Sequence, residues 1–324
     1  MKRKIVFSLL ALAFILALSP SLFAAGSRAQ QQQGFRVAFC LPPIMNDFHA
    51  RMRVVIDEEI AKVMAERNDF QFTAINAIDN NDQLRILELF ATQGYDLIAI
   101  MPNDAVLLGP KIGDITRAGT PTIVINRDTP SQEYTHFIAG DNWGGGVNAA
   151  HYFGRFFAGR RVNIVHFGML PGSPIGEERM NSFNQTIAAN YPNINILGYV
   201  PGGNARGLGL EAMSNALQRW PRIDGVYTHD DEGAIGAMTA IRQAGRTDIQ
   251  IMTGFGGVRE VFQMYIDGTS HPLMGTSLYS PYMGAGAVRL AVDVLTGVQH
   301  PKRVIEPSVF VTSENARQFL HLSY

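Results

Sequence analysis

The chain has 324 residues, of which 46% are hydrophobic and 17% charged, and its formal net charge is −1. This length allows one large domain or two medium-sized ones, and the composition allows a sizeable core. The near-zero net charge provides no general attraction to nucleic acid or to anionic membranes, and we expect no nucleic acid as a partner.

The first residues have the pattern of a secretory signal peptide. Basic residues at 2–4 precede an apolar stretch at 5–18, and small residues follow. The apolar stretch is shorter than the roughly 20 residues that a membrane-spanning helix needs. A buried first helix is the alternative, but the stretch has no polar face. We predict that 1–29 is a cleaved signal peptide and 30–34 a short leader, which places the mature protein in the periplasm.

Cys40 is the one cysteine of the chain, so no internal disulfide can form. It lies inside an apolar run, which favours a small buried side chain. Its position far beyond the predicted cleavage site excludes it as a lipid-attachment cysteine. We therefore expect an exported protein that is not a lipoprotein.

After Gly34, short apolar runs alternate with longer amphipathic stretches of helical spacing. Continuous Val, Ile and Leu runs between turn residues are typical of strands buried on both faces, as in parallel sheets. Strands are predicted at 35–42, 70–77, 97–102, 121–126, 136–140, 160–168, 194–201, 225–230, 249–256, 273–278 and 309–312. Between them, 82–93 and 209–220 have clear helical spacing, and Asn80, Asn81 and Asp82 are candidate caps for the first of these helices.

The alternation of strand and helix occurs twice, over 35–140 and over 160–278. Strand–helix–strand units form parallel sheets with right-handed crossovers. The sequence therefore predicts an α/β protein of two doubly wound lobes. Ligands of such sheets bind beyond the carboxyl ends of the strands, and two facing lobes would form the walls of one cleft.

Three candidate site residues follow the first predicted strand. Asn46 can cap the next helix, and Phe48 and His49 fall in its first turn. Capping and packing alone would explain them equally well. In the cleft, Asn46 would hydrogen-bond to a ligand, while Phe48 and His49 would cover an apolar ligand face.

Asn126 and Arg127 stand at the carboxyl end of the strand predicted at 121–126. An unpaired cation at the end of a buried strand is costly. Either Asp128 pairs with Arg127, or the guanidinium directs its planar set of donors at a ligand. We favour the second interpretation, in which Arg127 binds a ligand.

Asp141, at the end of the first lobe, is expected to cap the following helix.

In the second lobe, Glu177 and Arg179 lie on an early helical turn after the strand at 160–168. Two interpretations remain open: the residues belong to a solvated or self-paired helix start, or one of them lines the cleft. Asn204 opens another helix, where it is a good cap and a possible ligand donor.

Asp230, Asp231 and Glu232 follow the strand predicted at 225–230. They lack the alternating spacing of a calcium loop, so we expect no metal there. Asp231 and Glu232 suit the start of the next helix, whose dipole favours anions. We assign Asp230 to the cleft.

No catalytic motif is present. The sequence has no G-x-S-x-G, no H-E-x-x-H, no Cys/His metal spacing and no phosphate loop. We therefore expect neither an enzyme nor a bound cofactor or metal.

The segments MNDFHA, TIVINRD, HFIAGDNWGGG, GEERMNSF, GVYTHDDEGAIGAMTAIRQAG and IMTGFGG occur in this order. With them the chain resembles, over about 35–312, the type I periplasmic sugar-binding proteins of ABC importers, in the ribose-binding branch. The resemblance implies Rossmann-like lobes at 35–139 plus 280–307 and at 140–279 plus 308–324, joined by three hinge crossings. It also implies a monomer that closes on a small polar solute and docks on a membrane permease.

The resemblance also implies site residues. Asn46, Phe48, Arg127 and Arg179 match cleft residues of the family. The chain departs from the family pattern at several positions, with His49 for Phe, Asn126 for Asp, Glu177 for Arg, Asp230 for Asn, Gly256 for Asp and Leu278 for Gln. The scaffold thus matches better than the pocket, so we do not expect ribose itself. A periplasmic sensor that presents its solute to a receptor kinase or chemoreceptor is the alternative function, and the sequence does not separate the two.

Overall fold

A computed structural model describes residues 34–169, 172–202 and 205–324. The predicted signal peptide at 1–29 and all of the leader except Gly34 lie outside these residues, and so does Asn204. In the described part of the chain, no helix is long and apolar enough to cross a membrane.

Twelve strands are present in the described residues. They are β1 (Phe35–Leu41), β2 (Phe70–Asn76), β3 (Leu97–Ile100), β4 (Thr122–Ile125), β5 (His136–Gly140), β6 (Val162–Gly168), β7 (Ile194–Pro201), β8 (Gly225–Thr228), β9 (Ile251–Gly256), β10 (Leu273–Leu278), β11 (Arg303–Glu306) and β12 (Phe310–Thr312).

Helices separate most of these strands. They are α1 (Asp47–Glu66), α2 (Asn80–Thr92), α3 (Ala105–Arg117), α4 (Asn142–Phe157), α5 (Pro174–Asn190), α6 (Arg206–Arg219), α7 (Asp231–Gln243), α8 (Arg259–Asp267), α9 (Met283–Thr296) and the short α10 (Ala316–Phe319), which a 3₁₀ turn (Leu320–Leu322) follows.

The strands form two six-stranded sheets, one in each lobe. The first has the order β11-β5-β4-β3-β1-β2 and the second the order β12-β10-β9-β8-β6-β7. Every pair is parallel except β10 with β12. The strand order reverses beside β1 in one sheet and beside β6 in the other, and such switch points are where doubly wound sheets bind ligands. The predicted fold class is confirmed.

Apolar helix faces cover both sides of each sheet. On the first sheet, α1 and α9 cover one face and α2 and α3 the other. On the second, α6, α7 and α8 cover one face and α4 and α5 the other. Full burial of a large apolar side chain contributes about 1.5–3 kcal/mol, which accounts for the continuous apolar runs of the central strands. Cys40 is fully buried in the core of the first lobe, and burial raises the pKa of its thiol to about 12.

Two local details differ from the sequence-based expectation. The strand β11 was not predicted, because it is an edge strand whose residues alternate between exposed and half-buried positions and so form no apolar run. The cap of α2 is Asp79, not the expected Asn80, Asn81 or Asp82. Its extended backbone lets the carboxylate accept from the Asp82 N–H at 2.8 Å.

The chain passes between the two sheets three times, after β5, after β10 and after β11. At the first passage Asp141 caps α4, since its carboxylate accepts from the Gly144 N–H at 2.7 Å. After β10, α9 returns to pack against α1 of the first lobe. These passages bring the carboxyl ends of both sheets to a common cleft.

Candidate functional site

A cavity of about 250 Å³ lies between the lobes, at the carboxyl ends of strands from both sheets. The first lobe contributes Asn46, Phe48, His49, Asn126 and Arg127 to its lining. The second lobe contributes Arg179, Asp230 and Gly256. A larger cavity of about 430 Å³ lies elsewhere, between β7 and α6, and none of these residues lines it.

Aromatic rings form part of the wall. The ring of Phe48, from the first lobe, lies 5.6 Å from that of Tyr324 and 6.0 Å from that of Tyr279. The sequence-based reasoning missed both tyrosines. Tyr279 directly follows the apolar run of β10, a position that could have identified it. Tyr324 lies far from any strand end, and its backbone pairing with Gly257 brings it to the cavity.

Asn46 caps α1 and also lines the cavity. Its side-chain oxygen accepts from the His49 N–H at 2.9 Å, and its NH₂ group can donate to a ligand. The Nδ1 atom of His49 lies 3.1 Å from the Pro43 carbonyl. This contact favours the tautomer that leaves Nε2 as an acceptor. Burial, reinforced by the Arg127 charge, lowers the pKa of His49.

Arg127 does not pair with Asp128. Its Nη1 group donates to the Asn103 carbonyl and, at 3.3 Å, to that of Pro102. Asp128 instead pairs with Arg303. Burial lowers the pKa of Arg127, so its charge is costly where it stands. Arg127 lines the cavity, and its Nη2 group makes no hydrogen bond to the described residues.

Asn126 links the end of β4 to the segment that follows β10. Its backbone has a φ of 67°, and its side-chain oxygen accepts from the Tyr279 hydroxyl at 2.6 Å. Asparagine tolerates this left-handed conformation better than most residues. The hydrogen bond holds Tyr279 against the cavity.

Arg179 forms the opposite part of the wall. It is 3% exposed, and its guanidinium carbon lies 3.6 Å from the ring centroid of Phe255. Its Nε donates to the Asn142 side chain at 3.0 Å, and its Nη1 donates to the His229 carbonyl at 2.5 Å. Burial lowers the pKa of this guanidinium as well.

Glu177 does not line the cavity. Residues two apart on a helix point to opposite sides, so Arg179 faces the cleft while Glu177 is exposed.

The three adjacent acids have three different environments. Asp230 is the cap of α7, since its carboxylate accepts from the Glu232 N–H at 2.8 Å, and it also lines the cavity. Burial raises its pKa to about 7, with a further contribution from the Asp231 charge and an opposing one from Arg179. Glu232 pairs with Arg206 at the surface.

Asp231 lies in the first turn of α7, but it does not cap the helix. Its carboxylate is fully buried and accepts from the Gly257 N–H at 2.8 Å and the Val258 N–H at 3.1 Å. Thr276 also donates to it, at 2.6 Å. Burial raises its pKa to about 6, against the effect of these hydrogen bonds. Its role is to hold the start of the loop after β9, next to Gly256 at the end of that strand.

A buried histidine pair stands behind this wall. The Nε2 atoms of His166 and His229 lie 2.6 Å apart, and the His166 Nδ1 lies 3.0 Å from the Asn184 side-chain oxygen. Burial lowers the pKa of His166 to about 4 and that of His229 well below its usual value. Both rings are therefore neutral near pH 7. In the described residues, no group of three or more His, Cys, Asp or Glu side chains is placed to hold a metal ion.

Two doubly wound lobes with a polar and aromatic cavity between them define a two-lobe solute-binding protein. The chain belongs to the periplasmic binding protein family, since the model described as "Periplasmic binding protein domain" matches residues 37–299. Members of this family bind solutes and are not enzymes, and the same holds for this protein.

Individual relatives agree with this assignment. The chain is 26% identical to the ribose import binding protein RbsB of Escherichia coli (strain K12) over 263 residues, 81% of this chain and 85% of that protein. It is 25% identical to the Bacillus subtilis (strain 168) protein of the same name over 293 residues, 90% and 92% of the two chains. The fructose binding periplasmic domain of a hybrid two-component system superposes with a TM-score of 0.77 at 27% identity, over 89% of this chain and 93% of that domain.

Proposed function

We propose that this protein captures a small polar solute, a sugar or a sugar-like compound, and delivers it from the periplasm to an ABC importer. The observation that carries the proposal is the arrangement of hydrogen-bonding and aromatic side chains from both lobes around one cavity of about 250 Å³. This volume lies below the roughly 300–1,000 Å³ of sites for drug-sized ligands, which favours a single sugar-sized solute.

The side chains of the cavity suit a polyhydroxy compound. Arg127 and Asn46 would donate to ligand oxygens, and Asp230 would accept from hydroxyl groups. Phe48 and Tyr279 would pack against the apolar face of a sugar ring. Charge-assisted hydrogen bonds contribute about 1.5–3 kcal/mol each. We assign ligand contacts to Asn46, Phe48, His49, Asn126, Arg127, Arg179, Asp230 and the backbone at Gly256.

Ligand contacts from both lobes would favour a closed form over an open one. We take the moving bodies to be 35–139 with 280–307 and 140–279 with 308–324. A monomer in the closed form would dock on a membrane permease. The names of the curated relatives, ribose import binding proteins, support import as the role.

Sensing is the second candidate function. The solved domain from a hybrid two-component system is of similar build, and that protein's name describes a sensor rather than an importer. Solute capture would be the same in both roles. Co-reconstitution with the permease and ATPase encoded nearest to this gene would separate them, because only a transport protein stimulates ATP hydrolysis when its solute is present.

Thermal denaturation with a panel of sugars, polyols and sugar acids tests solute capture. A solute at a hundred times its Kd stabilises the folded state by about 2.7 kcal/mol. The double variant Arg127→Ala, Asp230→Ala should lose this stabilisation, whereas the exposed Glu177→Ala should keep it. Capture in this cavity is excluded if no solute of the panel raises the melting temperature, or if the double variant binds like the wild type.

A further inference from the structure

We propose that the solute of this cavity carries an anionic group, a carboxylate on a sugar-sized polyhydroxy compound, held by Arg127 and Arg179. The inference rests on the proposed function and specifies its class of substrate. The charged side chains that line the cavity are two guanidinium groups and one carboxylate, that of Asp230. A neutral sugar leaves this excess of positive charge unbalanced.

Neither guanidinium has a carboxylate within 4.0 Å in the part of the chain that the structure describes. The other acids around the cleft are already bonded. Asp104 accepts from the N–H groups of Val106 and Leu107, and Asp231 accepts from backbone N–H groups and a threonine. They do not neutralise the two cations at contact distance.

Both guanidiniums keep donors for a ligand. Within the described residues, Arg127 uses its Nη1 group and Arg179 uses Nε and Nη1. A guanidinium has five N–H donors, so Nη2 of each arginine, which has no partner in the described residues, is available to a ligand. The protein partners of these groups are neutral carbonyl oxygens and an amide oxygen, which satisfy hydrogen bonds but supply no opposite charge.

Closure of the lobes would raise the energetic cost of the unbalanced positive charge. Unpaired charges are costly where water is excluded, and burial already lowers the pKa values of both arginines. A carboxylate can accept two parallel hydrogen bonds from a guanidinium and supplies the missing charge. The Asp230 carboxylate can supply only one negative charge against the two guanidiniums, and burial, which raises its pKa to about 7, leaves it part-protonated near neutral pH.

The rest of the lining still suits a sugar. Phe48, Tyr279 and Tyr324 provide ring faces, and Asn46 provides amide donors for hydroxyl groups. The predicted class is therefore a monosaccharide acid, an aldonate or a uronate.

Calorimetric titration of the full chain with matched pairs tests the proposal. The probes are D-ribose and D-ribonate, D-glucose and D-gluconate, D-galactose and D-galacturonate, with D-ribose 5-phosphate as the phosphate arm. At pH 7.5 and low salt, the acid of at least one pair should bind at least tenfold tighter than its neutral partner. Added salt should weaken acid binding more than neutral binding.

The variant Arg127→Gln should remove the preference for the acid, and Arg155→Gln, the same charge change on the exposed side of α4, should keep it. Melting temperatures without ligand verify that both variants fold, and Arg127→Lys, which keeps the charge, should retain part of the preference.

Each outcome is decisive. Equal or tighter binding of the neutral sugar in every pair overturns the anionic solute while leaving sugar capture intact. Tightest binding of D-ribose 5-phosphate overturns the carboxylate assignment. If no probe binds, the monosaccharide-acid assignment fails, and sugar capture fails with it only if no solute of the thermal panel raises the melting temperature.

Discussion

Thr276 donates a hydrogen bond of 2.6 Å to the buried carboxylate of Asp231, which ties the start of α7 to β10 across the intervening strand β9. The other oxygen of the same carboxylate accepts from Gly257 and Val258. One side chain thus fixes the loop after β9, directly beyond Gly256, which lines the cavity.

Replacing Asp231 should therefore destabilise the protein strongly. Asp231→Ala leaves three buried donors without their acceptor, and we expect a loss of about 2–4 kcal/mol in the free energy of unfolding. Glu232→Ala, which removes a surface ion pair with Arg206, should cost less than about 1 kcal/mol. Urea denaturation measures both. Equal losses for the two variants would show that the buried network contributes no more than a surface pair.

The elevated pKa of Asp230 predicts a particular dependence of stability on pH. Burial raises this pKa to about 7, so between pH 4 and 7 the folded state binds more protons at Asp230 than the unfolded state does. The stabilisation that this group contributes is complete at low pH and is lost as the pH rises through 7.

Asp230→Asn should remove this dependence, because asparagine also caps helices but does not titrate. Relative to the wild type, the variant should gain about 1–3 kcal/mol of stability between pH 5 and pH 8. The exposed Asp47→Asn serves as the control. If the free energy of unfolding of Asp230→Asn changes between pH 5 and pH 8 as that of the wild type does, burial does not raise the pKa of Asp230.

The His166–His229 pair predicts the opposite slope at acid pH. Burial lowers the pKa values of both rings, so the unfolded state binds protons below about pH 6.5 that the folded state cannot bind. Each ring should cost the protein about 2 kcal/mol of stability between pH 7 and pH 5, and the pair about 4 kcal/mol. His229→Gln should be less stable at pH 7 yet lose less on acidification, whereas the exposed His321→Gln should follow the wild type. Urea denaturation at pH 7 and pH 5 measures the free energy of unfolding of each protein. If His229→Gln loses as much stability on acidification as the wild type, the histidine pair is not the cause of that loss.

Close packing of α6 against α7 makes Gly236 difficult to replace. A Cβ atom at Gly236 would lie 2.1 Å from the Arg206 carbonyl oxygen, a backbone atom. Gly236→Ala should therefore lower the free energy of unfolding by about 1–3 kcal/mol. Gly207 lies in the same helix pair but faces open space, so Gly207→Ala should stabilise by about 0.4–1 kcal/mol. Thermal denaturation of the two variants tests this, and equal shifts would contradict the close approach.

Much of the fold could be predicted from the sequence, and each of the two exceptions has its own physical cause. Central strands such as β3 and β4 are buried on both faces, so they appear in the sequence as unbroken apolar runs. The edge strand β11 has one exposed side and no such run. Asp79 was missed as a cap because several neighbouring residues have equally suitable side chains, and only the backbone geometry selects among them.

The candidate site was predicted to a similar degree. Position at the carboxyl end of a strand identified Asn126, Arg127 and Asp230, because in doubly wound sheets these ends converge. The same rule could not distinguish Glu177 from Arg179, since the rotation of α5 depends on packing. It also could not find Tyr324, which contacts Phe48 across the cleft although the two lie at opposite ends of the chain.

The sequence by itself determined the alternation of strand and helix, the two lobes and the strand ends where polar residues gather, because these follow from local periodicity and burial. Only the tertiary structure decided which residue of α5 lines the cavity, which acid holds the loop after β9 and which arginines lack a carboxylate partner among the described residues. Adjacent side chains have the same local preferences but point to different neighbours, and those neighbours come from distant parts of the chain.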